Sequence, residues 1–528
     1  DGGTINVTNI QSSVATGNGQ DGLSIVNSNA GVFNTTAIGG STPAVGNDFS
    51  NNTRSGLFFG GVTPKTPVAF NNILQISNNN FNRTTAGVEG ILFDTTNVVT
   101  SASAGAMTSL TQNSFVGGAN TAGRGIGGTV DGGGVLFALG DNKSSNANTF
   151  ASNRDAHIGL VLKGDSVNLF TIDNHNLSNV TNGTNTTFNG DGAAFVVEDT
   201  ATLAGYIRRS TINGNANDGL RFDVTNLASV NSFLVGGATS DLGNQIQSNL
   251  QYGIEVTRTS AGQVNDFEIL NNTVSSNTLS GVRLIASNSA NQDTYVINQN
   301  TINTNGFDGI ELNVRADASM FTTIDQNVIN GNGTAGNPVF GSGIHSLEQL
   351  NTATDQRFLA GLWTRNTITG NNLDGIDLNA AMTTLVIGDP IDTTKGNLIS
   401  ANLRNGVNVE GPGQVTIGSN VISLNGTAGT IGTAAETAGV KANVRPISDL
   451  TVINNQIINN IGDGIEYSIR QGFAGTGQIQ IVNNNIAFND GRGVDILNRA
   501  NNQIQVLMDG NIVNTNLLEG VYVVNTAS

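Results

Sequence analysis

Polar and apolar positions alternate in short bursts along this chain, and the bursts return on a schedule. Residues 366–379 read NTITGNNLDGIDLN: a short strand (Thr367, Ile368), an Asn/Gly corner, Asp374-Gly375, then a strand with Ile376 in, Asp377 out and Leu378 in. Close copies stand at 300–313, 210–223 and 456–468. About seventeen such units recur at a mean period of ~31 residues, a spacing that marks solenoids. Each Gly-apolar-x-apolar strand follows a strand centred on N-x-[IFV], such as Asn511-Ile512-Val513. A further alternating strand lies between units, as at 294–298 and 478–483. Period-two alternation predicts strands throughout, with one weak helical excursion at 347–362.

Two or three strands in ~31 residues leave no room for a helical crossover. The pattern therefore predicts an all-β chain, a right-handed parallel β-helix (β-solenoid) of about seventeen coils. It forms one continuous domain over 1–528, coiling from about residue 4 to 524. Near the N-terminus the unit glycine is read at Gly56, Gly90, Gly134, Gly159 and Gly192. Glycine supplies positive φ at corners, and Asn tolerates it better than other side chains. The Asn excess predicts amides stacked from coil to coil, because buried amides must be paired.

Composition narrows the functional classes. Charged residues are 12% of the chain, about half the globular norm of roughly 25%. The net charge of -17 and pI near 4.4 argue against nucleic acid and against an anionic membrane surface. Without cysteine, neither disulfides nor thiolate metal sites are available. No apolar run approaches the ~18 residues of a membrane span. The chain opens at Asp1 directly in strand-like sequence and closes within a repeat, which predicts a piece of something longer.

Three units share a fuller pattern: IGGSTPAVGNDFSNNTRSGLFF at 38–59, VGGATSDLGNQIQSNLQYGIEV at 235–256 and IGDPIDTTKGNLISANLRNGVNV at 387–409. This pattern resembles the right-handed parallel β-helix repeats of large secreted bacterial surface proteins, in the wider pectin-lyase-like superfamily. The resemblance implies an extracellular or cell-surface location. It leaves activity open, since that superfamily hosts lyases, hydrolases, adhesins and structural rods. Its hydrolases carry Asp-Asp pairs and Gly-His-Gly, and its lyases hold calcium in Asp clusters beside a basic residue; neither pattern is found here.

Among candidate groups, Glu466 and Asp495 occupy the outward position on consecutive coils and should lie ~5 Å apart. Arg470, Arg492 and Arg499 nearby make them equally an ordinary charge group. His157, His175 and His345 fall on different units, with His345 outward and solvated, and form no triad or metal constellation. The Asp-Gly corners at Asp21, Asp191, Asp218, Asp308, Asp374 and Asp463 are turn chemistry. No catalytic, metal or cofactor site is predicted. Long insertions at 117–133, 179–190, 331–342 and 425–438 share one slot, before the Gly-apolar strand, and so project from one side.

The residue two after the unit glycine should form one outward row. In it Arg221, Glu255, Arg283 and Glu311 alternate in charge. Nearer the N-terminus the row reads Phe58, Leu92, Leu136, Val161 and Ala194, an apolar strip that something must cover. Either the excursion at 94–133 folds over it, or a second chain docks on Phe58, Leu92, Leu136 and Val161. The leading expectation is a non-enzymatic extracellular rod, a surface-protein segment or filament subunit that self-associates or continues into neighbouring repeats. The alternatives are a polysaccharide-active lyase or hydrolase on the β-helix face, and an adhesin that binds glycans or a host through the loops.

Overall fold

The computed structural model describes residues 4–27, 32–61, 68–69, 75–83, 89–99, 107–118, 123–141, 143–182, 187–288, 291–334, 340–349, 358–411, 413–426, 437–444, 448–469, 476–498 and 503–525. They fall in two compact units, Asp1–Thr273 and Val274–Ser528. Each is a parallel β-helix, the all-β class the alternation predicts.

In the second unit, three strands make a turn. The first face runs through Ile310–Arg315, Ile344–Gln349, Ile376–Leu378, Val407–Val409 and Ala438–Val444. Each pairs in parallel with the next, so Glu311, His345, Asp377, Asn408 and Lys441 stand in register. The row continues to Glu466 and Asp495. The short third strands, among them Val328–Asn330, Thr367–Thr369 and Leu398–Ser400, stack Ile329, Ile368 and Ile399 inward. These isoleucines are fully buried, each contributing roughly 1.5–3 kcal/mol.

Two asparagine ladders flank that third strand. One runs Asn300, Asn327, Asn366, Asn397, Asn420, Asn455 and Asn484. The other runs Asn277, Asn305, Asn332, Asn371, Asn402, Asn425, Asn460 and Asn489. At every step Nδ2 donates to the Oδ1 of the following turn at 2.8–3.0 Å. The residue before most first-ladder Asn is left-handed: Gln299, Gln326, Arg365 and Ser419 lie at φ 54–60, while Gly396, before Asn397, lies at φ -66. The bend is therefore held by the amide behind it, and residues other than Asn and Gly accept it. Glycine is demanded elsewhere, by close approach. A Cβ on Gly375 would sit 2.5 Å from Ile399 Cγ2 and 2.6 Å from the Gly406 carbonyl oxygen.

The first unit fills its core with phenylalanine. Phe49, Phe81, Phe115 and Phe150 stack at 5.9, 5.1 and 4.9 Å between centroids. Such pairs add roughly 0.5–1.5 kcal/mol beyond their burial. Here the ladder Asn47, Asn79, Asn113, Asn148 runs into His175, whose Nε2 accepts from the Asn148 amide at 3.0 Å while Nδ1 donates to the Asp173 carbonyl at 2.8 Å.

Several expectations change in register. The solenoid makes about fourteen turns, somewhat fewer than the motif count. The motif recurs even where the third strand shrinks to a single bridge, as at Val14, Asp48, Asn80 and Asn176. Ile126 pairs with Ile91 and Ile158, so the stacking positions are Gly125 and His157 rather than Gly134 and Gly159. The outward row consequently passes through Phe58, Leu92, Gly127, Gly159 and Ala194. Leu136 instead pairs with Leu169, and Val161 lies two residues further along its strand. The segment 94–133 supplies strands of the solenoid itself, including Thr108–Thr111 and Arg124–Gly134. Cover comes from elsewhere. The Arg54 guanidinium lies 3.8 Å over the Phe58 ring, and Phe188 packs with Ala156, Ala194, Val196 and Val161. The weak helix at 347–362 is replaced by strands Ile344–Gln349 and Phe358–Thr364.

Candidate active site

The first face of the second unit carries its chemistry in the outward row. Two residues after each stacking glycine, consecutive turns place Glu311, His345 and Asp377 side by side. The aspartates before the glycines lie beside them. Asp308 accepts from the Gly341 and Ser342 amides, both at 2.8 Å, through Oδ1. Its Oδ2 stands 3.0 Å from His345 Nδ1, and His345 Nε2 lies 3.4 Å from Asp377 Oδ2. His345 is 2% exposed, which corrects the expectation of a solvated ring: its outward position is roofed by carboxylates on both sides.

Burial alone would lower the His345 pKa, but Asp308, Asp377 and Glu311 outweigh it and lift it to about 9. The imidazolium is thus the resident state at neutral pH. Asp377 is pushed up to about 7 by burial and by Asp374, against the pull of His345 and Asn408. Asp374 is itself raised, chiefly by burial, and among the described residues its Oδ2 faces Arg404, at 3.7 Å. The Asp377 side chain keeps 12% exposure while His345 and Glu311 keep 3%, so Asp377 is the carboxyl of the triad that meets solvent. On the following turn Asn408 Nδ2 donates to Asp377 Oδ1 at 2.9 Å and to Glu410 Oε1 at 3.5 Å. Two carboxyl groups sharing one amide are as close as the pairs, roughly 5–9.5 Å apart, that cleave glycosidic bonds.

Aromatics border the cluster. Phe307 precedes Asp308, and Phe340 arrives from the insertion at 331–342. Their rings stack at 4.6 Å and 4°, and Phe340 lies 6.1 Å from the His345 ring. Both are half-buried.

Glu466 and Asp495 are register partners, as the repeat predicts. Each has its own cation: Lys441 at 3.2 Å from Glu466, Arg492 at 2.7 Å from Asp495. Arg470 and Arg499 lie outside the described residues. His157 and His175 are buried in the first unit, both lowered to about 4, chiefly by burial. Asp191, Asp218 and Asp463, like Asp308 and Asp374, accept backbone amides of the following turn. The predicted charge pairing is present within each unit: Arg221 and Glu255 are register partners, and Arg283 meets Glu311 at 3.1 Å. Asp377 and Glu410 were not singled out from the sequence. The signal was Glu311, His345 and Asp377 at one motif position in three successive units.

These features define a parallel β-helix with an acid–base cluster on one sheet face. Residues 360–528 match the family model described as right handed beta helix region, in accord with the hand expected from the crossover rule. Among curated proteins no sequence matches this chain. Among solved structures it is similar to the periplasmic alginate epimerase AlgG, at 13% identity and TM-score 0.31 over 66% of this chain and 77% of that one. It is similar to the alginate lyase from Paenibacillus sp. str. FPU-7, at 13% identity and TM-score 0.33 over 67% of this chain and 99% of that one. The Dettilon tailspike protein (gp208) gives 12% identity and TM-score 0.26 over 93% and 62%. At such identity the likeness shows the fold alone. The expectation of a non-enzymatic rod is corrected on the cluster itself, where a buried imidazolium stands between the Asp308 and Asp377 carboxylates and Asp377 reaches solvent.

Proposed function

We propose that this protein cleaves polysaccharide chains on the first sheet face of its second unit, with Asp377 as the proton-transfer group and Glu410 as the second carboxylate. The observation that carries this reading is the shared Asn408 amide, which joins a solvent-reaching Asp377 to a half-buried Glu410. Glycoside cleavage asks for two carboxyl groups in different protonation states. Asp377, at about 7, is protonated for half its population near neutrality, and His345 keeps its ring turned toward it. Strands of the face repeat at ~4.8 Å, so a glycan laid along the row meets one side chain per step. An extracellular or envelope location in a bacterium goes with this role. The test is release of reducing ends from a panel of polysaccharides. Asp377→Asn should reduce turnover by roughly 10²–10⁴-fold, with the circular dichroism unchanged. Full activity in that variant would overturn the assignment.

A further inference from the structure

We infer that Asn379 and Asn443, one on each side of Glu410, hold the glycan by donating their side-chain amides to hydroxyl oxygens of the sugars that flank it. The inference rests on the cleavage reading and adds to it the groups that grip the substrate. The first sheet face has a second outward column beside the row of Asp377. Leu378, Val409 and Ala442 are buried and stand in register on three consecutive turns. By alternation the residues that follow them, Asn379, Glu410 and Asn443, point outward side by side. All three are half-buried. Strands repeat at ~4.8 Å, so the two asparagines stand about 10 Å apart with Glu410 midway.

Each amide has a donor to give. The Asn379 side chain stands 3.5 Å from His345 Nε2. That ring lies between the Asp308 and Asp377 carboxylates as an imidazolium, and an imidazolium nitrogen only donates. Asn379 therefore meets the ring with Oδ1 and turns Nδ2 to the open side of the face. Asn443 Oδ1 accepts from the Ser468 hydroxyl at 3.2 Å, and among the described residues nothing accepts from its Nδ2. Asn313, two turns before Asn379 in the same column, differs: it is 2% exposed, and its Oδ1 takes Arg315 Nε at 2.8 Å.

Asn379 shares its turn with Asp377, and Asn443 lies one turn beyond Glu410. A chain laid along the columns meets one amide before Glu410 and the other after it, each against a different sugar. A pyranose carries hydroxyls around its edge, and every one of them can accept an N–H. Sites built to make such bonds reject a sugar that lacks the oxygen, because their polar groups are then left unpaired.

The full chain is incubated with mannan, galactan, xylan, β-glucan, alginate and polygalacturonate, and KM is measured on the polymer cleaved fastest. Asn379→Ala and Asn443→Ala should each raise KM about five- to tenfold, with the loss confined to KM. The double variant should raise it about fiftyfold, since the two amides touch separate sugars. Asp377→Asn, which turns over slowly, is also run through gels cast with each polymer. The polymer that is a substrate should retard it, and either alanine substitution should relieve the retardation. Cleavage with KM unchanged in both alanine variants, or with kcat lowered instead, overturns this inference and leaves the cleavage reading standing. Retardation that alanine relieves, without cleavage by the wild type, overturns the cleavage reading and keeps the two amides as sugar ligands. Neither cleavage nor retardation overturns both.

Discussion

Asp377 draws its character from three neighbours of different kinds. Burial and the Asp374 carboxylate raise its pKa, the His345 cation lowers it, and the balance stands at about 7. The general acid must be protonated to act, so kcat/KM for glycan cleavage should fall as pH rises through about 7. His345→Asn removes the cation, and the limb should then move to higher pH; a limb that stays in place would disconnect His345 from the acid. His175 gives a second titration, of opposite sense. Its pKa is lowered from 6.5 to about 4 in the fold. The unfolded chain therefore binds the proton first, and stability present above pH 6.5 is lost as pH falls through 4. The loss is on the order of 3 kcal/mol for each such buried histidine. In His175→Asn the urea midpoint should fall less between pH 7 and 4 than in the wild type, because the ladder then carries one fewer titrating group. His345 shows what a single position conceals. Its outward place in the repeat was legible, but its burial was not, because the roof is Asp308 from one turn and Asp377 from another.

At the scale of the element, the asparagine ladder decides more than the strands it flanks. Asn371 accepts the Asn332 backbone and side-chain amides at 3.1 and 3.0 Å, and donates to Asn402 Oδ1 at 2.9 Å and the Ile329 carbonyl at 3.3 Å. Asn371→Ala strands the Asn332 donors, at a cost on the order of 3 kcal/mol. Asn371→Asp keeps the acceptor but turns a second oxygen toward two others, so it should destabilise at least as much at neutral pH and less in acid. Chemical denaturation at pH 7 and pH 4 distinguishes the two variants. The ladders and the parallel pairing were legible, since each repeats with the period, whereas the insertion read at 117–133 is in large part the solenoid strand Arg124–Gly134. What escaped was register where the repeat is irregular. Gly134 and Gly159 fit the motif as well as Gly125 does, and only pairing of Ile126 with both neighbours separates them.

At the scale of the molecule, the described site lies wholly within Val274–Ser528. Arg283, Asp308, His345, Asp377, Asn408 and Glu410 need no residue of the first unit for the contacts given above. A fragment spanning 274–528 should therefore show β-rich circular dichroism and retain Asp377-dependent cleavage; a folded but inactive fragment would mean that the first unit contributes to the site. The cluster itself was only half legible. Its members repeat with the motif, yet Glu410 follows the row by two residues and joins Asp377 only because Asn408 turns its amide to both. The ladders carry one more consequence, for descent. Each amide gives to the turn ahead and receives from the turn behind, so a single changed codon is felt twice, while the gain or loss of an entire turn leaves every amide matched. The turn, not the residue, is the heritable unit of such a gene. Tandem copying can lengthen or shorten it freely, and the stretches at 300–313 and 366–379, identical at nine of fourteen positions, fit that mode of inheritance.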